Sequence, residues 1–207
     1  SGAQMVTSPI GSPAPNIQSG TLNFGGYTDS PSSERMLVFG SDGEIQFPVP
    51  YYSSGETKVI GLWHVPGLAS DAIAMRMYCA EGSIGALDLV ITTAGSLRLD
   101  AYDFSFASLD TTGAIAFGVN DRECMISIEL IQDGADLDTR LFVQYADDGS
   151  GVFSDDTFTG LSIGRVAFIR LGLGDLSDVA FGHLGVGRDV SSGFENFIVP
   201  SGDTPPG

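Results

Sequence analysis

Apolar and polar residues alternate along most of this chain. In Ser96–Tyr102 (SLRLDAY), Leu97, Leu99 and Ala101 share one phase, and Arg98, Asp100 and Tyr102 share the other. Arg122–Leu130 (RECMISIEL) groups Cys124, Ile126, Ile128 and Leu130. Leu137–Tyr145 (LDTRLFVQY) groups Leu137, Leu141, Val143 and Tyr145. A period of two is what a half-buried strand requires, because successive side chains leave opposite faces. Further strand-like runs are MLVFG (36–40), EIQFPV (44–49), KVIGLWHV (58–65), AIAMRMYCA (72–80), IGALDLVITT (84–93), the stretch 113–118, IGRVAFIRLGL (163–173) and DVAFGHLGVG (178–187). The turn-forming clusters SDG, SSGE, AEGS, TAGS, DTTG, QDGAD and GDLSD separate them. No segment holds a helical period over about ten residues, and 28 glycines disfavour helices. About a dozen short strands predict an all-β sandwich or barrel.

The last run departs from strict alternation. Phe181, Leu184 and Val186 cannot share a face unless one residue is looped out. Gly182 and Gly185 make that easy, so the pattern predicts a β-bulge between Phe181 and Leu184.

Composition narrows the function classes. Of the 207 residues, 43% are hydrophobic and 17% charged, enough for one sizeable core. Residues 1–20 and 201–207 are rich in Ser, Gly and Pro and read as a flexible N-terminal arm and a C-terminal linker around one domain at 21–200. Ends of this kind suit a module within a larger chain or assembly. Asp and Glu number 26 against 9 Lys and Arg, a formal net charge of −17. That charge repels nucleic-acid phosphates and anionic lipid. Lys58 is the only lysine, so no basic patch exists. An acidic surface suits solubility, divalent cations or neutral partners such as sugars. No apolar run reaches the ~18 residues of a membrane span, so membrane insertion is not expected. Cys79 and Cys124 both fall on apolar phases. They read as buried free thiols, or as one bridge if their strands are neighbours.

The order of the second half carries a resemblance. LDLVITTAGSLRLDAYD is followed by RECMISIELIQDGAD, then TRLFVQYADDGSG, a short loop, and IGRVAFIRLGLGDLSDVAFGHLGVGRD. This resembles the concanavalin A-like, laminin-G-like β-sandwich across residues 34–189, with Arg170–Leu173 (RLGL) and Phe181–Val186 (FGHLGV) as closing strands. The resemblance implies an antiparallel jelly-roll β-sandwich of the concanavalin A-like lectin/glucanase type. The pattern also resembles copies of this sandwich in minor tail proteins of phages that infect actinobacteria, where Ser/Gly/Pro linkers flank them. It therefore implies a virion or extracellular module, with other virion proteins as partners, a homo-oligomeric state open to it, and cell-surface glycan as a ligand during host attachment. The alternatives are a purely structural virion domain making protein–protein contacts, and a secreted glycan-processing enzyme domain.

Candidate chemistry is sparse. Glycan hydrolases of this sandwich class place two glutamates in E-x-D-x-x-E, so that two carboxyl groups lie about 5 Å apart. None of Glu34, Glu44, Glu56, Glu81, Glu123, Glu129 and Glu195 begins that pattern. Glu123 and Glu129 share a strand phase but are six residues apart, nearly 20 Å. There is no G-x-S-x-G elbow, and His64 and His183 lack metal-ligand spacing. No enzyme activity is expected, and no catalytic residue is assigned. For carbohydrate, the polar phases of three strands offer Arg76 and Tyr78, then Arg98, Asp100 and Tyr102, then Arg140 and Gln144. On one shared sheet these would form a mixed polar and aromatic platform, on which a sugar stacks its apolar face and meets planar hydrogen-bonding groups. Otherwise they are an ordinary solvated face. Trp63, between Leu62 and His64, reads as core. For metal, DDGSGVFSDD offers Asp147, Asp148, Asp155 and Asp156 to calcium, the one candidate cofactor. The competing reading is the wet tip of a hairpin. Asp133, Asp136 and Asp138 form a second acidic group.

Overall fold

The computed structural model describes residues 8–10, 16–19, 35–38, 44–49, 56–65, 68, 70–116, 122–145, 150–173 and 179–187. In chain order the strands are β1 (Ser8–Ile10), β2 (Asn16–Ser19), β3 (Arg35–Val38), β4 (Glu44–Pro48), β5 (Glu56–Val65), β6 (Ala72–Ala80), β7 (Ala86–Ile91), β8 (Ser96–Tyr102), β9 (Ser108–Thr111), β10 (Ile115–Ala116), β11 (Arg122–Asp133), β12 (Asp136–Tyr145), β13 (Gly151–Phe158), β14 (Arg165–Leu173) and β15 (Ala180–Gly187). The described residues form no helix. The first sheet runs β1-β4-β14-β6-β7-β8-β10, with β9 also on β8; the second runs β13-β12-β11-β5-β15-β3-β2. The sheets exchange the chain repeatedly, the jelly-roll arrangement, and the strand pairs are antiparallel.

The inner faces are those the alternation predicts. Leu97, Leu99 and Ala101 line the first sheet. Cys124, Ile126, Ile128 and Leu130 line the second with Leu137, Leu141, Val143 and Tyr145, all in one core. Trp63 is fully buried, its ring 4.5 Å from that of Phe181 in an edge-to-face contact. A Cβ at Gly61 would stand 2.5 Å from the Trp63 indole nitrogen and 2.7 Å from the Phe181 ring, so only glycine lets β5 pass beneath this pair. The β15–β5 register shifts between Phe181 and Leu184, the bulge expected there, and Phe181 and Val186 are both buried.

Ser8–Ile10 pairs with β4 and Asn16–Ser19 with β3, one edge strand for each sheet. Pro9 is tolerated because an edge position leaves one side of the strand without ladder bonds. The short loop after β12 is also mostly strand. Gly151–Phe158 extends the second sheet as β13. Its aspartates, serine and threonine hide the period of two, and such charge on an edge discourages pairing with another chain.

Candidate functional site

Register across the first sheet places outward side chains in two neighbouring rungs. One rung is Phe168, Tyr78, Ala86 and Tyr102, contributed by β14, β6, β7 and β8. The next is Gln46, Arg170, Arg76, Asp88, Asp100 and Thr111, from β4 to β9. With strands about 4.8 Å apart, the aromatic rung is about 14 Å long. Tyr78 stacks on Phe168 at 4.2 Å between ring centres, and small Ala86 separates it from Tyr102. Arg76, Tyr78, Arg98, Asp100 and Tyr102 thus share one face.

The charged rung is interlocked. Arg76 donates twice to Asp88, Nε to Oδ1 and Nη2 to Oδ2, both at 2.6 Å. Asp88 is 0% exposed although it lies on the outer side of the sheet. Burial pushes its carboxyl up from the ordinary value, opposed by the hydrogen bonds from Arg76. The same bonds raise the Arg76 guanidinium, so it stays charged. Arg98 Nε donates to Asp100 at 3.0 Å, which raises Arg98, and its Nη1 lies 3.6 Å from Asp71. Thr111 donates its hydroxyl to Asp100, and Arg170 Nε donates to Gln46 at 3.1 Å. Burial, with Asp100 and Asp88 nearby, pushes the Tyr102 phenol up, so it remains a hydrogen-bond donor at neutral pH.

The loop between β8 and β9 folds over this face. Oδ1 of Asp103 accepts from the Ser105 amide and hydroxyl, each at 2.8 Å, and from the Ala107 amide at 2.9 Å. These bonds hold the carboxyl below its ordinary value, the Ser105 hydroxyl contributing most. The tight loop forces Phe106 to φ 63°, a left-handed conformation that a bulky residue rarely adopts. Its ring meets Tyr78 edge-on at 6.2 Å, and the Arg76 guanidinium lies 5.1 Å from its centre. Phe104 and Phe106 are nevertheless 60% and 50% exposed.

Arg140 and Gln144 do not join that platform. They lie on β12 in the second sheet, whose outer face is on the opposite side of the sandwich. There Lys58, Glu129, Arg140 and Asp155 align across β5, β11, β12 and β13. Lys58 Nζ is 2.7 Å from Glu129, and Arg140 reaches Glu129 at 3.5 Å and Asp155 at 2.5 Å. The contact with Asp155 raises Arg140 above its ordinary value.

Of the calcium candidates, Asp147 and Asp148 lie outside the described residues. Asp155 and Asp156 are adjacent on β13, so their side chains leave opposite faces. Asp155 pairs with Arg140, whereas Asp156 accepts the Gly113 amide at 3.0 Å. Asp136 accepts the Gly160 amide and Asp138 the Thr157 hydroxyl. Among the described residues no three His, Cys, Asp or Glu side chains converge as metal ligands. Cys79 and Cys124 are free and buried in different sheets, each thiol pushed up to about 12 by burial. His64 is half-buried opposite Glu123, and the His183 side chain lies outside the described residues.

Several members of the first-sheet face escape the sequence reading. Asp88 interrupts the apolar run ALDLVI, a signal in itself, because a charge in such a strand needs a partner. Phe168 and Arg170 stand in the polar phase of β14, but their proximity to β6 comes only from pairing across some 90 residues of chain. Phe104 and Phe106 are two aromatics in a loop, where no core exists to claim them.

The architecture has known counterparts. Over 94% of this chain it superposes on 30% of the enzymatically active domain of tailspike protein 2 from bacteriophage CBA120, with TM-score 0.61 and 11% identity. The botulinum neurotoxin serotype D binding domain matches 88% of the chain over 44% of its own length, with TM-score 0.57 and 9% identity. Domain 4 of AbnA, an extracellular arabinanase from Geobacillus stearothermophilus solved with arabinotriose, matches 88% of the chain over 82% of its own, with TM-score 0.54 and 14% identity. The chain therefore spans less than half the length of the tailspike and neurotoxin structures. At these identities the likeness is one of fold, an antiparallel β-sandwich of two sheets. No protein-family model and no curated protein matches the sequence.

Proposed function

We propose that this chain is a non-catalytic carbohydrate-binding module of a phage tail, of the kind found in minor tail proteins of actinobacterial phages, and that it contacts host cell-surface glycan during attachment. The observation that carries the reading is the paired rungs of the first sheet. Tyr78, Tyr102 and the exposed Phe106 offer ring faces and edges to the apolar side of a sugar. Beside them, Arg76, Arg98 and Asp100 offer planar donors and acceptors already fixed by their mutual bonds. Preorganised groups of this sort bind hydroxyls without first having to be ordered. Glu129, one of the two glutamates on a common strand face, is engaged by Lys58 and Arg140, which fits a binding role better than a hydrolytic one. Fold likeness to a tailspike domain and to an arabinanase domain solved with arabinotriose supports the reading by analogy.

Screening the chain on a glycan array, with Tyr102→Ala beside the unmodified protein, tests this reading. The expected result is selective retention of one or a few glycans, with affinity about tenfold lower in the variant, as expected for loss of one aromatic contact. A folded protein that binds no glycan leaves the purely structural virion domain as the better account.

A further inference from the structure

The outer face of the second sheet repeats the construction of the first. Beside its charged rung of Lys58, Glu129, Arg140 and Asp155 runs a second rung of Ile60, Ser127, Phe142 and Phe153. Small Ser127 stands between two large side chains here, as Ala86 does on the other face. A depression of about 440 Å³ lies over these strands, with Ser127 and Phe142 in its lining. Sites for small molecules commonly have volumes of about 300–1,000 Å³.

Two features within it point to a ligand. Ser127 is 1% exposed, and its hydroxyl has no hydrogen-bond partner among the described residues, although buried polar groups almost always find one. Phe153 is 65% exposed and stands directly opposite Phe142 on the neighbouring strand. An orphan hydroxyl beside an open ring suits a molecule with both apolar and hydroxyl surfaces.

We propose that this depression is a second saccharide site, for a neutral sugar whose ring lies on Phe153 and whose hydroxyls meet Ser127 Oγ, the Arg140 guanidinium and the Asp155 carboxylate. It is separate from the platform on the first sheet. Charge sets the class of ligand. The rung carries two cations and two anions paired with one another, and the chain as a whole carries −17. An acidic sugar would meet Glu129, Asp155 and the net field of the protein. A metal cation would have to displace Arg140 from between the two carboxylates. A neutral hydroxyl, which both donates and accepts, does neither. With a site on each side of the sandwich, one module could hold two glycan chains and gain in avidity.

The test is a nitrogen-15 NMR titration of the whole chain with neutral oligosaccharides of glucose, galactose, arabinose and N-acetylglucosamine, and with sialic acid and galacturonate as charged counterparts. At least one neutral sugar is expected to shift the amides of Ser127, Phe142 and Phe153. Phe153→Ala should weaken that response about tenfold, whereas Tyr102→Ala should leave it unchanged. Ser127→Ala should weaken it about two- to tenfold while leaving thermal stability equal or higher, because it removes a buried group that lacks a partner. A purely structural serine would not separate affinity from stability in this way. Silence of these amides with every neutral sugar, a response confined to the acidic sugars, or full binding in Phe153→Ala each overturns the proposal. Loss of the Tyr102-dependent response alone would overturn the first-sheet platform and leave this site standing.

Discussion

The two outer faces of the sandwich share a plan and differ in how tightly it is closed. Both set a charged rung against a rung of apolar and aromatic side chains. On the first sheet the charges sit inward: Asp88 is sealed beneath Arg76, and the ring of Phe106 is folded over the pair. On the second sheet the rung is graded. Lys58 and Glu129 are buried at 2.7 Å, whereas the side chains of Arg140 and Asp155 are 51% and 55% exposed. The same chemistry is therefore sealed at Arg76–Asp88 on one side and graded on the other, from the buried Lys58–Glu129 pair out to the solvent-exposed Arg140–Asp155 pair. Desolvation makes the difference, because an ion pair in water contributes little and a buried ion that loses its partner is severely destabilising.

Removing one arginine from each face would separate these regimes. Arg76→Met strands the buried Asp88 carboxylate, and a loss of about 3–5 kcal/mol at neutral pH is expected. The loss should depend on pH. Burial already raises Asp88 above its ordinary value, and Arg76 is the group that opposes that rise. A raised acid lends its full stability only where it is neutral, below its unfolded value near 4, and the contribution disappears as pH rises through the folded value. The variant's deficit should therefore shrink as pH falls from 7 toward about 4. Urea denaturation at both ends of that range measures it, and a deficit independent of pH would mean that Asp88 is not the group left behind. Arg140→Met, on the open rim, should cost no more than about 1 kcal/mol. A loss there as large as that at Arg76 would erase the contrast between the faces.

The alternation made the strand faces legible, down to the bulge before Leu184 and the burial of Trp63. It could not assign strands to sheets. Arg76 and Arg140 occupy the same phase of similar strands, and only long-range pairing sends them to opposite sides of the molecule. β13 was hidden because polar residues fill both of its phases at a sheet edge, where burial does not enforce a pattern. Phe106 was hidden for another reason. Its position depends on a loop closed by Asp103, and periodicity carries no information about a left-handed residue.

That loop offers the finest test of the contrast, because among the described residues it covers the first face and has no equivalent on the second. Asp103 stabilises it as a carboxylate accepting from Ser105 and Ala107, and its pKa is lowered. For a lowered acid the contribution is present above the ordinary carboxylate value near 4 and is lost as pH falls through the lower folded value. Below about pH 4 the Ser105 and Ala107 amides should therefore lose protection relative to their intrinsic exchange rates, and Phe106 should leave Tyr78. Asp103→Ala should produce that opening at neutral pH. Asp103→Asn keeps an acceptor oxygen without the charge, so it should hold the loop more weakly and no longer respond to acid. Global stability should barely change in either variant, since the loop packs on the sheet from outside. Amide exchange at 105 and 107, read together with first-face sugar affinity, decides the point. If the loop opens and affinity is unaltered, Phe106 is a lid on the Arg76–Asp88 pair and takes no part in holding sugar.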